Sequence, residues 1–389
     1  MPHASLLLIL VGFAALLSVI EGIGAVPSPL HVLQSTMAKM AAQPASSAFW
    51  EYNYGPGYAL AAMYEASVPG LGMNWSTVIG SHLDALLSKQ GSYPFNISHN
   101  IRMPYTGAVG EPTAGALAFL ARAMTGEGSA SVDMQIALTT AEVYVMEFPT
   151  RLPDGTFARP AGWQGAPGNL FLWGDDQFMS LALLCRLARA GASNASAYLT
   201  TSIQNALRNA HYVQQASGLF PHGWDFVNNV SSCCLWGRAN GWVAMSLVEV
   251  LLAMNAKAPE RAQILAILTR LLDGAVAVQY AADGRWHQVL DVPTTFLETS
   301  ATAMVLFAMA TGVNEGWLDR GKYGAAIELA WSGLTKAVNS DGTVSGICAG
   351  TPVEPDVASY NARPTGYNTS QPGLGAVFRA ALAYHAFLQ

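Results

Sequence analysis

The feature that most constrains the fold is a series of twelve helical stretches separated by Gly-, Pro- or Asn-rich breaks. Apolar residues recur in each stretch at the helical period, whereas the two-residue alternation typical of strands is scarce. Twelve helices of similar length without a heptad pattern predict helix pairs repeated around an axis. The predicted helices span 29–43, 50–67, 74–89, 111–125, 131–148, 174–191, 195–216, 238–255, 259–280, 298–311, 319–338 and 371–388.

The two members of each pair differ in composition. The even-numbered helices are richer in Gly and Ala, as in "GALAFLARA" and "TSATAMVLFAMA", so we place them at the centre, where close approach is needed. The odd-numbered helices, such as "PERAQILAILTRLLDGAVAVQ", carry more charge on one face and fit an outer ring. Closing six hairpins predicts an all-α fold, an (α/α)6 barrel, as one domain over residues 26–389. An open solenoid is the alternative, but the absence of obvious polar caps favours closure.

In such a barrel all six inner helices run in the same direction, so their N-termini share one mouth. Unpaired amide N–H groups and the positive ends of the helix dipoles point towards this mouth, which suits an anion. The segments that lead into the inner helices are the most aromatic, polar and Gly-rich of the chain: "FWEYNYGPG", "PYTGAVGEP", "LFLWGDDQF", "CCLWGRANGW", "TTFLETSAT" and "GYNTSQPG".

These segments contain the candidate site residues. The stretch "FLWGDDQFMS" places Asp175 and Asp176 between Trp173 and Phe178, which indicates a pocket at the barrel rim. Arg238 adds a planar, charged fork that matches a carboxylate. Acids, a carboxylate-binding charge and flat stacking faces together indicate a site for an acidic sugar. The aromatic candidates are Trp50, Tyr52, Trp173, Trp236 and Trp242.

The N-terminus and the composition bear on the compartment. The chain is 51% hydrophobic and 11% charged, which makes a membrane protein worth testing. Beyond residue 25, however, no run of 18 or more apolar residues lacks Gly, Asn, Asp or Arg. The apolar block "SLLLILVGFAALLSVI" at 5–20, followed by small residues, predicts a secretory signal peptide over 1–25. A signal anchor is the alternative.

Other sequence features agree with export. Five N-glycosylation sequons suggest a eukaryotic secreted glycoprotein. The four cysteines lack zinc-site spacing and allow one or two disulfides, with Cys185 predicted to be a buried thiol. The net charge of −6 without a basic stripe argues against nucleic acid. The sequons begin at Asn74, Asn96, Asn194, Asn229 and Asn368.

Six ordered motifs between residue 50 and about residue 310 resemble a known family. They are "WEYNYG", "WGDDQFM", "GLFPHGWDF", "LWGRANGWVAMSLVEVLLAM", "GRWHQVLDVP" and "LETSATAM". Their order and content resemble the unsaturated rhamnogalacturonyl hydrolases, glycoside hydrolase family 105, which is related to the unsaturated glucuronyl hydrolases of family 88. The resemblance implies an (α/α)6 barrel. It also implies hydration of the double bond of a 4,5-unsaturated uronic acid at the non-reducing end of lyase-generated oligosaccharides.

The resemblance also implies roles for individual residues. Asp175 matches the general acid/base, and this role predicts a pKa raised towards the working pH. Asp176 stands where the family has Asp or Gly, and is expected beside the site or as a helix N-terminal charge. A helix-capping role for both acids is the alternative. The residues that match substrate-contacting positions are Tyr52, His222, Trp236, Arg238 and Trp242, with core packing or a buried ion pair as their structural alternatives.

One position departs from the family pattern. A second functional Asp is usual at the start of the second inner helix, where this chain has "TGAVGEPTAGAL" with Glu111 as the nearest acid. Either Glu111 takes the catalytic role from a shifted position or the specificity of this branch is altered. Glu298 is a further polar candidate, for which a capping role or a supporting role beside the site is expected.

We therefore predict a secreted, monomeric hydrolase of unsaturated galacturonyl groups, without a metal or cofactor. The alternatives are activity on unsaturated or saturated glucuronyl groups, as in ulvan, a non-catalytic sugar-binding relative, and a membrane-anchored structural protein.

Overall fold

The computed structural model describes residues 26–43, 54–67, 71, 73–88, 113–126, 128–160, 169–365 and 371–389. Within these ranges the chain forms thirteen α-helices, and all twelve predicted helices are present. The additional helix is short and lies in a segment without helical periodicity. The helices are α1 Pro29–Ala41, α2 Tyr54–Ala66, α3 Ser76–Ser88, α4 Thr113–Thr125, α5 Ala130–Ala141, α6 Gly174–Arg189, α7 Ala195–Val213, α8 Gly237–Ala253, α9 Arg261–Ala277, α10 Thr299–Asn314, α11 Arg320–Thr335, α12 Val357–Asn361 and α13 Gln371–Phe387.

Six of these helices form a closed inner ring. Helix α2 packs on α4, α4 on α6, α6 on α8, α8 on α10, α10 on α13, and α13 returns to α2. Close packing depends on small residues, because a Cβ on Gly57 of α2 would lie 2.4 Å from the carbonyl oxygen of Ala114 in α4. The prediction of an (α/α)6 barrel with Gly- and Ala-rich inner helices is confirmed.

The outer helices α1, α3, α5, α7, α9 and α11 cover the ring. Helix α11 shows how such a helix begins: the Asp319 side chain accepts a hydrogen bond from the Lys322 backbone N–H at 2.7 Å. This N-cap satisfies one of the amides that a helix start leaves unpaired.

Short strands lie at the barrel mouth, and the sequence analysis did not predict them. Strands β1 Arg159–Pro160, β2 Leu170–Trp173, β3 Gly223–Asp225 and β4 Val230–Ser231 form one antiparallel sheet in chain order. Strands β5 Trp286–His287 and β6 Leu297–Glu298 form a second. Strands β2 and β6 run directly into inner helices α6 and α10, so the sheets fix the start of those helices.

The cysteines divide into one disulfide and two thiols. Cys233 and Cys234, which are adjacent in the chain, are bonded to each other just before α8. Cys185 is a buried thiol, as predicted, and so is Cys348. In the ranges described above, no helix has the length and apolar character needed to cross a membrane.

Candidate active site

Strands β2 and β3 bring the two best candidates together. Trp173 pairs with Gly223 across the sheet, and the Gly174 backbone N–H donates to the His222 carbonyl oxygen at 3.1 Å. Asp175 follows at the second position of α6, so its side chain lies beside that of His222. Two motifs almost fifty residues apart in the sequence therefore meet at one helix N-terminus.

Asp175 and His222 form a close pair at the barrel mouth. Nε2 of His222 lies 3.3 Å from Oδ2 of Asp175, and within the described part of the chain neither buried atom has another hydrogen-bonding partner. Contacts of this length are common in catalytic sites without bound substrate. The Asp175 side chain keeps 17% of its surface exposed, whereas His222 is fully enclosed. Of these two side chains, only that of Asp175 is therefore accessible to a ligand.

The charges around Asp175 favour its ionised form. Burial alone would raise the pKa of Asp175, but the hydrogen bond and charge of His222, together with Arg159 and Arg238, outweigh burial and bring the pKa below its ordinary value. The raised pKa predicted for Asp175 from the sequence is therefore corrected for the free protein. The surroundings do desolvate the carboxyl, as expected, but the His222 hydrogen bond and the neighbouring positive charges together outweigh that effect.

His222 lies among aromatic rings. Its ring centroid is 4.2 Å from that of Trp236 and 5.1 Å from that of Trp173. Its Nδ1 is 2.7 Å from the hydroxyl oxygen of Tyr360 in α12. Burial lowers the pKa of His222, more than the neighbouring Asp175 carboxylate raises it. The imidazole is therefore neutral near pH 7.

Asp176 points away from Asp175 into an ion pair. Its two carboxylate oxygens accept hydrogen bonds of 2.7 and 2.6 Å from Arg159 on β1. The Arg159 guanidinium also lies over the Trp173 ring, 3.9 Å from its centroid. With both oxygens occupied in a buried pair, Asp176 holds Arg159 and Trp173 in place. Asp176 thus lies beside the site, in the first turn of α6.

Arg238 anchors a distant segment of the chain. Its Nη1 donates to the Cys348 carbonyl oxygen at 2.6 Å, and its Nη2 donates to that of Ala349 at 2.7 Å. Glu298 lies 3.9 Å from the guanidinium and accepts from the Ala301 backbone N–H at the start of α10, which confirms its expected capping role. The Arg238 guanidinium is buried and already bound to these two carbonyl oxygens, so its predicted pairing with a substrate carboxylate is corrected. Arg238 instead contributes positive charge near the site and holds the Cys348–Ala349 segment in place.

The two predicted tryptophans of α8 have different roles. Trp236 lies directly before the helix, where its ring packs between His222 and the Arg238 guanidinium. Trp242 lies in the second turn of α8 and stacks on Phe178, with centroids 4.8 Å apart. Trp242 is therefore a core residue, and its predicted contact with substrate is corrected. Their spacing in the sequence could not separate them, because both are large aromatics near a helix start.

Three predicted site residues cannot be placed. Trp50, Tyr52 and Glu111 lie outside the described residues, as does the predicted signal peptide over 1–25. Conversely, Arg159 and Tyr360, which contact Asp176 and His222 respectively, were not predicted from the sequence. Neither residue belongs to a motif, and both lie in segments interpreted only as loops.

A cavity of about 490 Å³ adjoins the site on the sheet side. Trp173 and Arg159 form part of its lining, and Asp225 and Asn228 supply polar groups. Its volume is in the range of small-molecule sites. No cluster of three or more His, Cys, Asp or Glu side chains suited to a metal occurs in the described part of the chain. The described site thus combines an ionised, partly open carboxylate with a neutral imidazole and aromatic walls.

Sequence comparison finds curated relatives with related names. The chain is 28% identical to the unsaturated rhamnogalacturonyl hydrolase YesR of Bacillus subtilis over 195 residues, which are 49% of this chain and 54% of that protein. It is 32% identical to an unsaturated 3S-rhamnoglycuronyl hydrolase of an Alteromonas species over 112 residues, 28% of this chain and 27% of that protein. The matches thus span about half of the first relative and about a quarter of the second.

Solved structures share the fold over nearly the whole chain. A protein from Salmonella enterica described as a possible member of the GH105 family superposes with a TM-score of 0.76 at 18% identity, over 94% of this chain and 95% of that one. The unsaturated glucuronyl hydrolase from Bacillus sp. GL1 gives a TM-score of 0.65 at 13% identity, over 91% and 94%. The predicted six-hairpin fold is thereby confirmed. Residues 113–388 match the sequence profile of Glycosyl Hydrolase Family 88, and since this match spans more than half of the chain, the protein belongs to that family.

Proposed function

We propose that this protein removes a 4,5-unsaturated uronic acid of the galacturonyl type from the non-reducing end of lyase-generated oligosaccharides. The observation that carries the proposal is the Asp175–His222 pair, which places one partly open carboxylate at an inner-helix N-terminus in a chain of family 88. The fixed positive charges near Asp175 suit the carboxylate of a uronic acid.

In the proposed reaction Asp175 acts first as an acid and then as a base. Protonated Asp175 gives its proton to C4 of the double bond, so that a C4–H bond forms and positive charge develops at C5. Water attacks C5, a C5–O bond forms, and the ionised Asp175 takes a proton from that water. The resulting hemiketal opens and releases the remaining sugar chain. One water molecule is consumed, and Asp175 ends in its initial state.

The choice of a galacturonyl group rests on the names of relatives, not on geometry. The Bacillus subtilis relative is named for unsaturated rhamnogalacturonyl groups, whereas the Alteromonas relative is named for unsaturated 3S-rhamnoglycuronyl groups. The cavity beside Trp173 has room for part of a leaving sugar. Glucuronyl substrates are therefore the comparison that the experiment must include.

We also propose that the protein is secreted and glycosylated. The apolar block at 5–20 supports this proposal. So do Asn74, Asn194 and Asn229, the three sequon asparagines in the described ranges, because all are exposed. Mass spectrometry of the protein from culture medium tests both points: a retained N-terminal segment or bare asparagines would contradict them.

The activity test compares wild type with Asp175→Asn on two substrates. These are unsaturated galacturonyl oligosaccharides from a rhamnogalacturonan lyase and unsaturated glucuronyl oligosaccharides from an ulvan lyase. Ultraviolet absorbance of the conjugated double bond is followed as it is consumed. Since general acid–base catalysis contributes about 10²–10⁴-fold, we expect Asp175→Asn to lower kcat by about this factor.

Asp319→Asn is the matched control for loss of a carboxylate. Asp319 caps outer helix α11, and Asn caps helices equally well, so activity and stability should stay at wild-type values. Full activity in Asp175→Asn would refute the role of Asp175. Folded wild-type protein that consumes neither substrate would refute the proposed function in favour of a sugar-binding relative, and faster consumption of the glucuronyl substrate would correct the specificity.

A further inference from the structure

Tyr360 occupies a position that the proposed reaction does not yet explain. It lies in α12, the short helix that the sequence did not predict, and its side chain is fully buried. Its hydroxyl oxygen is 2.7 Å from Nδ1 of His222 and also accepts a hydrogen bond from the Glu354 backbone N–H at 3.2 Å. Tyr360 therefore contacts the residue that contacts Asp175, without reaching a ligand itself.

The Glu354 contact and the ionised Asp175 carboxylate together give this chain of hydrogen bonds a direction. The Glu354 backbone N–H can only donate, so it occupies one lone pair of the Tyr360 hydroxyl. The ionised Asp175 carboxylate can only accept, so Nε2 of the neutral imidazole carries the proton and Nδ1 accepts the Tyr360 hydroxyl proton. An imidazole that accepts at Nδ1 carries its own proton on Nε2 when it is neutral. That proton faces Asp175.

We propose that Tyr360 is a positioning residue that holds His222 in the Nε2–H form and so keeps the acid proton of Asp175 on its open side. This inference rests on the proposed function. Because Nε2 already carries a proton, it cannot accept one from Asp175. The carboxyl group must then bind its proton on the oxygen away from His222, where the side chain is exposed and the C4 atom of a substrate would lie.

The groups that face His222 are consistent with this role. Among the described residues, the charged or titratable groups around the pair are Asp175, Arg159, Arg238, Tyr360 and Glu354. Both arginines oppose an imidazolium, and burial lowers the pKa of His222. Burial also raises the pKa of Tyr360, so its hydroxyl stays protonated and remains a donor.

Several contacts hold Tyr360 itself in place. Gln288 donates to its backbone carbonyl oxygen at 3.3 Å, and the Asp356 side chain caps α12 by accepting from the Ser359 N–H at 2.8 Å. Arg238 binds the nearby carbonyl oxygens of Cys348 and Ala349. These contacts hold the segment 348–361 next to the site, and the buried Arg238 contributes by binding the start of that segment.

The test is Tyr360→Phe, with Tyr323→Phe as the matched control. Tyr323 is also a buried tyrosine, and its hydroxyl donates to Asp273 at 2.6 Å between outer helices α11 and α9. Both variants lose one buried hydroxyl and should lose similar stability. We expect only Tyr360→Phe to lower kcat, by about tenfold, the scale of one good hydrogen bond. KM should change less than about twofold, because Tyr360 is too buried to touch substrate.

Nitrogen-15 NMR of the His222 ring, assigned with His222→Gln, reads the tautomer without any substrate. In wild type at neutral pH we expect Nε2 to be protonated and Nδ1 unprotonated. In Tyr360→Phe we expect Nδ1 to gain a proton at a higher pH on acidification than in wild type. Protonated Nδ1 in wild type at neutral pH, or equal kcat values for the two variants, would overturn the inference. Since the spectra need no turnover, an inactive wild type would refute the proposed function and leave the tautomer measured.

Discussion

Asp175 and Asp176 show how adjacent residues of one type acquire different roles. Asp176 has both oxygens bound by Arg159, whereas Asp175 faces His222 and keeps part of its surface open. The cations and the His222 hydrogen bond that lower the pKa of Asp175 in the free protein act against its role as an acid. A bound uronate would act in the opposite direction, because a second negative charge nearby raises a carboxyl pKa.

This opposition predicts different pH profiles for kcat/KM and kcat. If protonated Asp175 is the active form, both fall as the pH rises through the pKa of Asp175, but kcat/KM reports the free enzyme and kcat the complex. We expect kcat to fall at a pH about one unit or more above the pH at which kcat/KM falls. Initial rates on the unsaturated substrate between acid and neutral pH measure both. Coincident limbs, or a kcat limb at lower pH, would contradict the prediction.

The site was predictable where residues follow one another in a motif and not where they meet through the fold. Asp175 and His222 lie in recognisable stretches, and the structure places them together. Arg238 and Trp242 also lie in such a stretch, yet one anchors Cys348 and Ala349 and the other packs in the core. A pattern fixes residue type and spacing but not which side chain reaches which neighbour. Tyr360 lies 138 residues from His222 and had no local signal.

The packing of the inner helices depends on glycines, and the loss of stability on replacing one of them can be measured. In Gly57→Ala the new Cβ would lie 2.4 Å from Ala114 O and from the Cα of Gly115, both backbone atoms that cannot rotate away. We expect a loss of about 3 kcal/mol in the free energy of unfolding, since α2 and α4 must separate. Gly80→Ala on outer helix α3 is the control, because nothing lies within 4 Å of its Cβ position. It should gain about 0.5–1 kcal/mol. Urea unfolding measures both, and a Gly57→Ala protein as stable as wild type would contradict this account.

Element prediction succeeded for the helices and failed for the strands, for a physical reason. A helix makes its hydrogen bonds within one stretch, so its apolar period is visible in the sequence. Strands β1 to β6 are two to four residues long, and their hydrogen bonds join segments such as Leu170–Trp173 and Gly223–Asp225. Only the closed barrel brings those partners together. The strands that position Asp175 and His222 therefore could not be predicted from local sequence patterns.

At the scale of the whole molecule, the two ends of the barrel are chemically distinct. The helix N-termini form the mouth, and the opposite end contains a cavity of about 590 Å³ lined by side chains from all six inner helices. There Glu249 of α8 accepts from Arg186 of α6 at 2.5 Å and from Arg379 of α13 at 3.0 Å. Glu65 of α2 binds the same two arginines. Four inner helices are thus tied together by one ionic network.

This network predicts a large cost for removing its most buried charge. Glu249 is 1% exposed, so Glu249→Gln would leave Arg186 and Arg379 without their shared buried partner. We expect the free energy of unfolding to fall by about 3–5 kcal/mol. Glu65→Gln removes a carboxylate from the same arginines, but Glu65 is 34% exposed, so its loss should cost about 1 kcal/mol or less. Equal losses in the two variants would show that burial does not set the strength of the network.

The pH dependence of the same pair of proteins gives a second check on Glu249. Burial alone would raise the pKa of Glu249, but Arg186, Arg379 and Arg189 outweigh burial and bring the pKa below its ordinary value. A carboxyl with a lowered folded-state pKa stabilises the protein above its unfolded-state pKa, and this contribution is lost as the pH falls through the folded-state pKa. The difference in unfolding free energy between wild type and Glu249→Gln should therefore be constant near neutral pH and shrink below about pH 4. Urea unfolding at a series of pH values measures this difference, and a gap that widens on acidification would mean that Glu249 is protonated in the native barrel.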